Sequence, residues 1–145
     1  MSEHFLQLRV IYDDPPDLVE IEAYVVHDHW SALSSAYASP SFFDDGGEKL
    51  LRWANSPQKL LRIEAGADTG VGLIALEFYV IDSVGHARCA ISLAAKNVGY
   101  ERPAQISRFA IELPTELGLV ERFAQEWIGL GRDFKREARL IGLPD

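Results

Sequence analysis

The alternation of apolar and polar residues is the feature of this 145-residue chain that most restricts its fold. The pattern recurs in five segments, at 6–10, 19–25, 71–82, 86–96 and 109–113. Because successive side chains of a strand point to opposite faces, each segment is predicted to be a strand with one buried face. Segments 29–38 and 59–65 are further strand candidates. Short connections rich in Gly, Pro and Asp favour antiparallel hairpins.

Two helices are predicted among these strands. The first begins with Asp45 as N-cap, Glu48 completes a capping box, and the helix ends before Pro57. The second follows Thr115 and runs to about Gly131, with one apolar stripe at helical spacing. We therefore predict an α+β domain: a mostly antiparallel β-sheet with a short middle helix and a C-terminal amphipathic helix packed on one face.

Length and composition favour one domain of ordinary globular type, with 48% hydrophobic and 25% charged residues. We predict a single α+β domain over 1–131, followed by a basic C-terminal extension over 132–145 that docks or frays. The single cysteine, Cys89, excludes an intramolecular disulfide and favours a reducing compartment. We expect no signal peptide at the N-terminus, and the longest apolar run is too short to span a bilayer. We therefore expect a cytoplasmic protein.

Acidic residues are concentrated in the first third of the chain. Residues 1–48 hold ten Asp or Glu and one base, Arg9, a formal charge of −9, whereas the whole chain carries −8. Such a surface attracts basic partners and repels nucleic acid and anionic membranes. Aromatic residues are interleaved with the acids, as in tight and fast protein interfaces. The predicted binding residues are Asp13, Asp14, Asp17, Asp28, Trp30, Tyr37, Asp44 and Asp45. The alternative is a solvated acidic face that only aids solubility.

Few residues suggest chemistry. On a strand, His27 and His29 would share one face and could bind a metal, but a site needs further ligands and Asp28 would point away. Asp82 and His86 flank a tight turn and could form an acid–base pair, although an Asp at such a position more often caps its own turn. We therefore predict no catalytic residue, no metal site and no cofactor.

Two other features are expected to be structural. Cys89 lies on the apolar face of a strand with Ile91 and Leu93, and the sequence suggests no general base that would activate it as a nucleophile, which predicts a buried thiol. The glycines of 66–72 open a strand, not a helix, and no Gly-Lys-Ser/Thr follows them. This segment is therefore predicted to be a turn and not a nucleotide-binding loop.

The order of several short motifs resembles a known family. An Asp-x-Trp stands at 28–30, a helix start follows near Glu48, and an Asp-x-x-Gly-His turn at 82–86 opens a strand. This order is similar to that of the WapI-like bacterial immunity proteins, which neutralise polymorphic or contact-dependent toxins. The likeness covers about residues 5–130, with Leu113-Pro114-Thr115 where the family usually has Asp-Gln-Thr. The resemblance implies an antitoxin-like, non-enzymatic protein.

The predicted function is that of an immunity protein whose acidic N-terminal surface binds a cognate basic toxin domain and blocks its active site. A nuclease is the leading candidate, because its groove must attract phosphate with Lys and Arg. Neither nucleic acid nor membrane is an expected partner. One alternative is a small metal- or His/Asp-dependent enzyme that uses His27, His29, Asp82 and His86. Another is a structural or adaptor subunit that forms a homodimer, through an exposed strand edge or through the bases of 132–145.

Overall fold

A computed structural model describes residues 3–14, 18–67, 72–96 and 106–145. Within these ranges the chain forms eight strands and two helices. Their order is β1 (His4–Asp14), β2 (Leu18–His27), β3 (Trp30–Ala38), α1 (Ser41–Asn55), β4 (Leu61–Gly66), β5 (Gly72–Val80), β6 (His86–Lys96), β7 (Ile106–Glu116), α2 (Leu117–Leu130) and β8 (Glu137–Ile141). The predicted α+β class, with a middle helix and a C-terminal helix, is confirmed.

The strands form two four-stranded sheets. The first sheet has the order β3-β2-β1-β8, and the second has the order β4-β5-β6-β7. Every described pairing is antiparallel. Strand β2 shows the basis of this arrangement, because its odd-numbered residues from Val19 to His27 are buried while the even-numbered ones reach the other face. Both sheets and both helices contribute to one hydrophobic core.

The two sheets meet along two seams. At the first, the Ser34 hydroxyl donates to the Ala94 carbonyl at 3.4 Å, and a Cβ at Gly72 would lie 2.0 Å from the Ser35 carbonyl oxygen. At the second, the Gly142 N–H donates to the His4 carbonyl and the Leu143 N–H donates to the Pro114 carbonyl, each at 2.8 Å. The chain beyond β8 therefore connects β1 of the first sheet with β7 of the second.

The segment 132–145 takes part in the first sheet. Its strand β8 pairs with β1, with Leu140 opposite Leu6 and Ala138 opposite Leu8. Ala138 and Leu140 are fully buried, whereas Glu137 and Arg139 are exposed. This alternation is the local signal for a strand.

Both helix starts differ from the predicted ones. Helix α1 begins at Ser41, and Pro40 before it already has helical backbone angles. The early start buries the Phe43 side chain completely, and no side-chain cap is present, so the capping box predicted for Asp45 is wrong. Thr115 lies within β7 and is not an N-cap, because its hydroxyl donates to the Ile141 carbonyl at 2.9 Å.

The two helices pack closely around Trp127. This indole is fully buried and donates its N–H to the Phe42 carbonyl at 2.9 Å. Helix α1 presents two glycines to α2: a Cβ at Gly46 would lie 3.2 Å from Trp127, and one at Gly47 would lie 2.5 Å from Cγ1 of Ile128. The missing side chains allow the two helices to approach. Neither described helix is long and apolar enough to cross a membrane.

We expect Gly47→Ala to destabilise the protein. The added methyl group would overlap Ile128, at a cost of about 1–3 kcal/mol for overpacking, which exceeds the helix-propensity gain of about 1 kcal/mol. Gly118→Ala in α2 is the matched control, because a Cβ there meets nothing within 4 Å. Urea unfolding of both variants measures the difference. Equal stability of the two variants would contradict close packing at Gly47.

Candidate protein-binding surface

The first sheet carries a concentration of exposed apolar side chains. On strands β1 to β3 these are Ile11, Tyr12, Leu18, Tyr24, Trp30, Leu33 and Tyr37. Trp30 is 65% exposed and Leu33 is 61% exposed, which is unusual for residues of this size. Clustered exposed apolar residues commonly mark interaction sites.

The outer face of the first sheet is the one to which the even-numbered residues of β2 point. In the middle of this face the charged side chains are paired. Arg9 donates to Glu22 at 2.6 Å, and this hydrogen bond, together with the negative charge, raises the pKa of Arg9. The guanidinium of Arg139 lies 4.1 Å from the centre of the Phe5 ring and also donates to the Gln7 side chain at 2.6 Å. This central region therefore has little unpaired charge with which to attract a partner.

One end of the same face is acidic and aromatic. Tyr12 lies opposite Glu20, which in turn lies opposite Tyr37, so the three side chains form a row across β1, β2 and β3. Asp13, the next residue of β1, is exposed at the same end of the sheet, but it lies opposite the buried Val19 and therefore leaves the strand on the other face. Glu20 is held in place by the Ser35 hydroxyl, which donates to it at 2.8 Å.

Helix α1 exposes two further carboxylates after the end of β3. It begins three residues after β3 ends, and its first turns expose Asp44 and Asp45. Asp45 also lines a cleft of about 350 Å³ together with Ala38 and Ser39 at the end of β3, and Lys49 and Arg62 line the same cleft. We call this region, made of Tyr12, Asp13, Glu20, Tyr37, Asp44 and Asp45, the acidic end.

The predicted binding residues divide between two places. Asp13, Tyr37, Asp44 and Asp45 belong to the acidic end. Asp14 is the last residue of β1 beside them. Asp17 lies outside the described residues.

Asp28 and Trp30 lie at the opposite end of the first sheet, at the turn between β2 and β3. The ten residues of β2 separate the two ends by about 30 Å. A standard interface covers about 800 Å² per partner, a patch about 30 Å across. An interface centred on the acidic end therefore does not reach Asp28 or Trp30.

Asp82 and His86 form a structural turn. One oxygen of Asp82 accepts hydrogen bonds from the N–H groups of Val84 and His86 at 2.9 and 3.1 Å, and the other lies 2.5 Å from Nδ1 of His86. The bond to His86 and the two backbone bonds lower the pKa of Asp82. Gly85, at φ 91°, accepts from the Leu117 N–H at the start of α2. The predicted turn-capping role of Asp82 is confirmed.

Cys89 has the predicted structural character. Its side chain is fully buried on the inner face of β6, and burial raises the pKa of the thiol. The protonated thiol is a poor nucleophile.

The histidines are arranged differently from the prediction. His27 is buried at the end of β2, whereas His29 is exposed in the turn, so the two do not share a face. The partner of His27 is His4 on β1, with the two Nδ1 atoms 2.9 Å apart, and its Nε2 lies 2.9 Å from Asp145. The carboxylate of Asp28 lies 3.8 Å from a nitrogen of each ring, so the prediction that it points away is wrong.

The register of the first hairpin was the signal for this arrangement, because it places His4 directly opposite His27. Within the described part of the chain, no hydrogen bond or ion pair connects these residues to Asp82 or His86. Of the four residues proposed for the alternative enzyme, Asp82 and His86 contact each other, His27 contacts His4 and Asp145, and His29 is exposed in the turn.

No protein-family model matches this chain, and neither does any curated protein or any solved structure.

We expect Asp82→Asn to make the free energy of unfolding less dependent on pH in the acidic range. Because the folded state lowers the pKa of Asp82, its contribution is complete above the unfolded pKa of about 3.9 and is lost as pH falls through the folded pKa. Asn does not titrate, so the Asp82→Asn variant has no such pH-dependent contribution to lose. Urea unfolding between pH 2 and 6 should give a shallower acid slope for Asp82→Asn than for the wild type. His86→Gln removes the largest cause of the shift and should move the slope in the same direction, whereas three identical slopes would contradict the assignment.

Proposed function

We propose that this protein is an immunity protein, a cytoplasmic inhibitor that binds a basic toxin domain through the acidic end of its first sheet. The observation that carries the proposal is the row of Tyr12, Glu20 and Tyr37, together with the exposed carboxylates of the adjoining chain, at Asp13 on β1 and at Asp44 and Asp45 on α1. The resemblance to WapI-like immunity proteins supports an antitoxin role for such a surface.

The charge of the acidic end suits a toxin that acts on nucleic acid. A nuclease groove is lined with Lys and Arg that attract phosphate. Carboxylates of Asp13, Asp44 and Asp45 can take the positions of phosphates in such a groove and exclude the substrate. Complementary charge also accelerates encounter, up to about 10⁸–10⁹ M⁻¹s⁻¹ at low salt.

The two tyrosines supply aromatic anchors, which a surface with only charged side chains would lack. Tyr12 is 53% exposed and Tyr37 is 36% exposed, and both stand on hydrogen-bonded strands. A rigid aromatic side chain loses little conformational entropy when a partner covers it. The acidic end thus combines steering charge with anchors that are already positioned.

Neutralising the acidic end is expected to slow association. The test variant is Asp13→Asn/Asp44→Asn/Asp45→Asn, and the control is Glu3→Gln/Glu116→Gln/Glu121→Gln, which removes the same charge elsewhere. Tagged wild-type protein recovers a basic partner from a bacterial extract, and association with the purified partner is then measured at 50, 150 and 500 mM NaCl. At 50 mM the test variant should associate about tenfold more slowly or worse, with a flatter salt dependence, and the control should change less than twofold.

Two results would contradict the proposal. One is an equal association rate for the test and control variants, which would remove the role of the acidic end. The other is a partner that keeps its full enzymatic activity inside the complex, because an immunity protein must block its toxin.

Tyr37→Ala is expected to act on dissociation. Loss of a central aromatic anchor costs about 2 kcal/mol or more, which corresponds to a dissociation rate about 30-fold faster. Val84→Ala is the control, since this exposed side chain lies in the Asp82–His86 turn. Surface plasmon resonance with the recovered partner separates the two rates. An unchanged dissociation rate for Tyr37→Ala would place the anchor elsewhere.

A further inference from the structure

We propose that His4, His27 and Asp28 form a binding site for a divalent transition-metal ion of the Zn²⁺ class, with Asp145 orienting one of the imidazoles. The site lies at the end of the first sheet opposite the acidic end, so the inference does not depend on the proposed function. It joins strand β1, the turn between β2 and β3, and the segment that follows β8.

The buried imidazole of His27 and the largely buried imidazole of His4 form the centre of the site. The side chains of His4 and His27 are 10% and 6% exposed, and their Nδ1 atoms face one another at 2.9 Å. Two ligands of a tetrahedral zinc ion, each about 2.0–2.1 Å from the metal, lie about 3.3 Å apart. The rings therefore need to separate by only a few tenths of an ångström to admit an ion between them.

Asp28 supplies a third ligand. One carboxylate oxygen lies 3.8 Å from Nδ1 of His4, the nitrogen that faces the proposed ion, and the other lies 3.8 Å from Nε2 of His27, the nitrogen that contacts Asp145. One ligand atom from each of these three residues can be chosen so that all lie within 4.8 Å of one another. Asp28 has a φ of 54°, in the left-handed region that non-glycine residues seldom adopt. Such strain is often kept at functional positions, and here it accompanies a carboxylate placed beside two imidazoles.

Asp145 has the position of an orienting carboxylate. One of its oxygens lies 2.9 Å from Nε2 of His27, the ring nitrogen that does not contact His4, and the other lies 3.8 Å from Arg88. With Nε2–H donated to Asp145, the Nδ1 lone pair of His27 points towards His4. Metal-bound histidines usually donate their second N–H to a carboxylate or carbonyl in this way.

The ligand chemistry selects the class of ion. Mg²⁺ and Ca²⁺ prefer oxygen ligands, whereas two imidazoles with one carboxylate suit zinc and related transition metals. Asp28 is 40% exposed, so an ion can reach the site from solvent. The competing possibility is a hydrogen-bonded pair of histidines that never binds metal, and the experiment below separates the two.

Metal binding is tested with untagged protein, because a histidine tag would itself bind zinc. Isothermal titration with ZnCl₂ should give one ion per chain with a Kd of about 1 µM or tighter, and Co²⁺ should produce the visible absorption of a low-symmetry site. Asp28→Asn should weaken zinc binding at least about tenfold and His27→Gln should abolish it. His29→Asn, which changes an exposed neighbour outside the cluster, should bind as the wild type does.

Asp145→Asn tests the orienting role separately. It removes no ligand, so zinc should still bind at one ion per chain, about 10- to 100-fold more weakly. Zinc at about 100 times Kd should also raise the melting temperature of the wild type by about 5–10 °C and that of Asp28→Asn much less.

Absence of zinc and cobalt binding up to about 1 mM would overturn the proposal, as would equal weakening by His29→Asn and Asp28→Asn. If His27→Gln does not fold, Asp28→Asn decides the question. Asn readily adopts the left-handed conformation, so this variant keeps the turn and removes only the charged oxygen ligand.

Discussion

The joining of the two sheets by the chain after β8 is the constraint on which the rest of the structure depends. The N–H groups of Gly142 and Leu143 donate to β1 and β7 in turn, so one short segment closes the second seam. A Cβ at Gly142 would lie 2.4 Å from Leu113, so only glycine allows this approach. The fully buried Leu140 just before it contributes about 1.5–3 kcal/mol of hydrophobic stabilisation. The same segment brings Asp145 to His27, so both the fold and the histidine cluster depend on it.

Trp127 determines how the helices support the candidate interface. Its indole packs against the glycines of α1, and its N–H satisfies the Phe42 carbonyl in the first turn of that helix. Because Phe43 is buried in the same core, the following carboxylates of Asp44 and Asp45 are directed to solvent beside the end of β3. A residue far from the surface therefore determines that Asp44 and Asp45 are exposed.

The sequence predicts elements whose signal is local and misses those that depend on distant partners. Strands β1, β2, β5 and β6 follow from the alternation of half-buried residues, and α2 follows from its apolar stripe. Strand β8 has only five residues with charged neighbours, and its burial depends on pairing with β1, more than 120 positions away. Helix α1 begins earlier than predicted because burial of the Phe43 side chain stabilises the protein more than a capping box would, since a cap contributes only about 1 kcal/mol. The division into two sheets depends on seams that no local pattern encodes.

The candidate sites follow the same rule. Charge and aromatic content predict Asp13, Tyr37, Asp44 and Asp45 as binding residues, and the structure places Asp13 and Tyr37 at one end of the first sheet and the other two in the first turns of α1. Asp28 and Trp30 are also an acid and an aromatic residue, but the length of β2 places them at the other end of the sheet. There the left-handed backbone of Asp28 accompanies a carboxylate that lies near His4 and His27. Since about 30 Å of paired strand separates the ends, a partner of standard size on the acidic end leaves the histidine end open to solvent. The proposed protein interface and the proposed metal site therefore lie far enough apart on the sheet to be occupied at the same time.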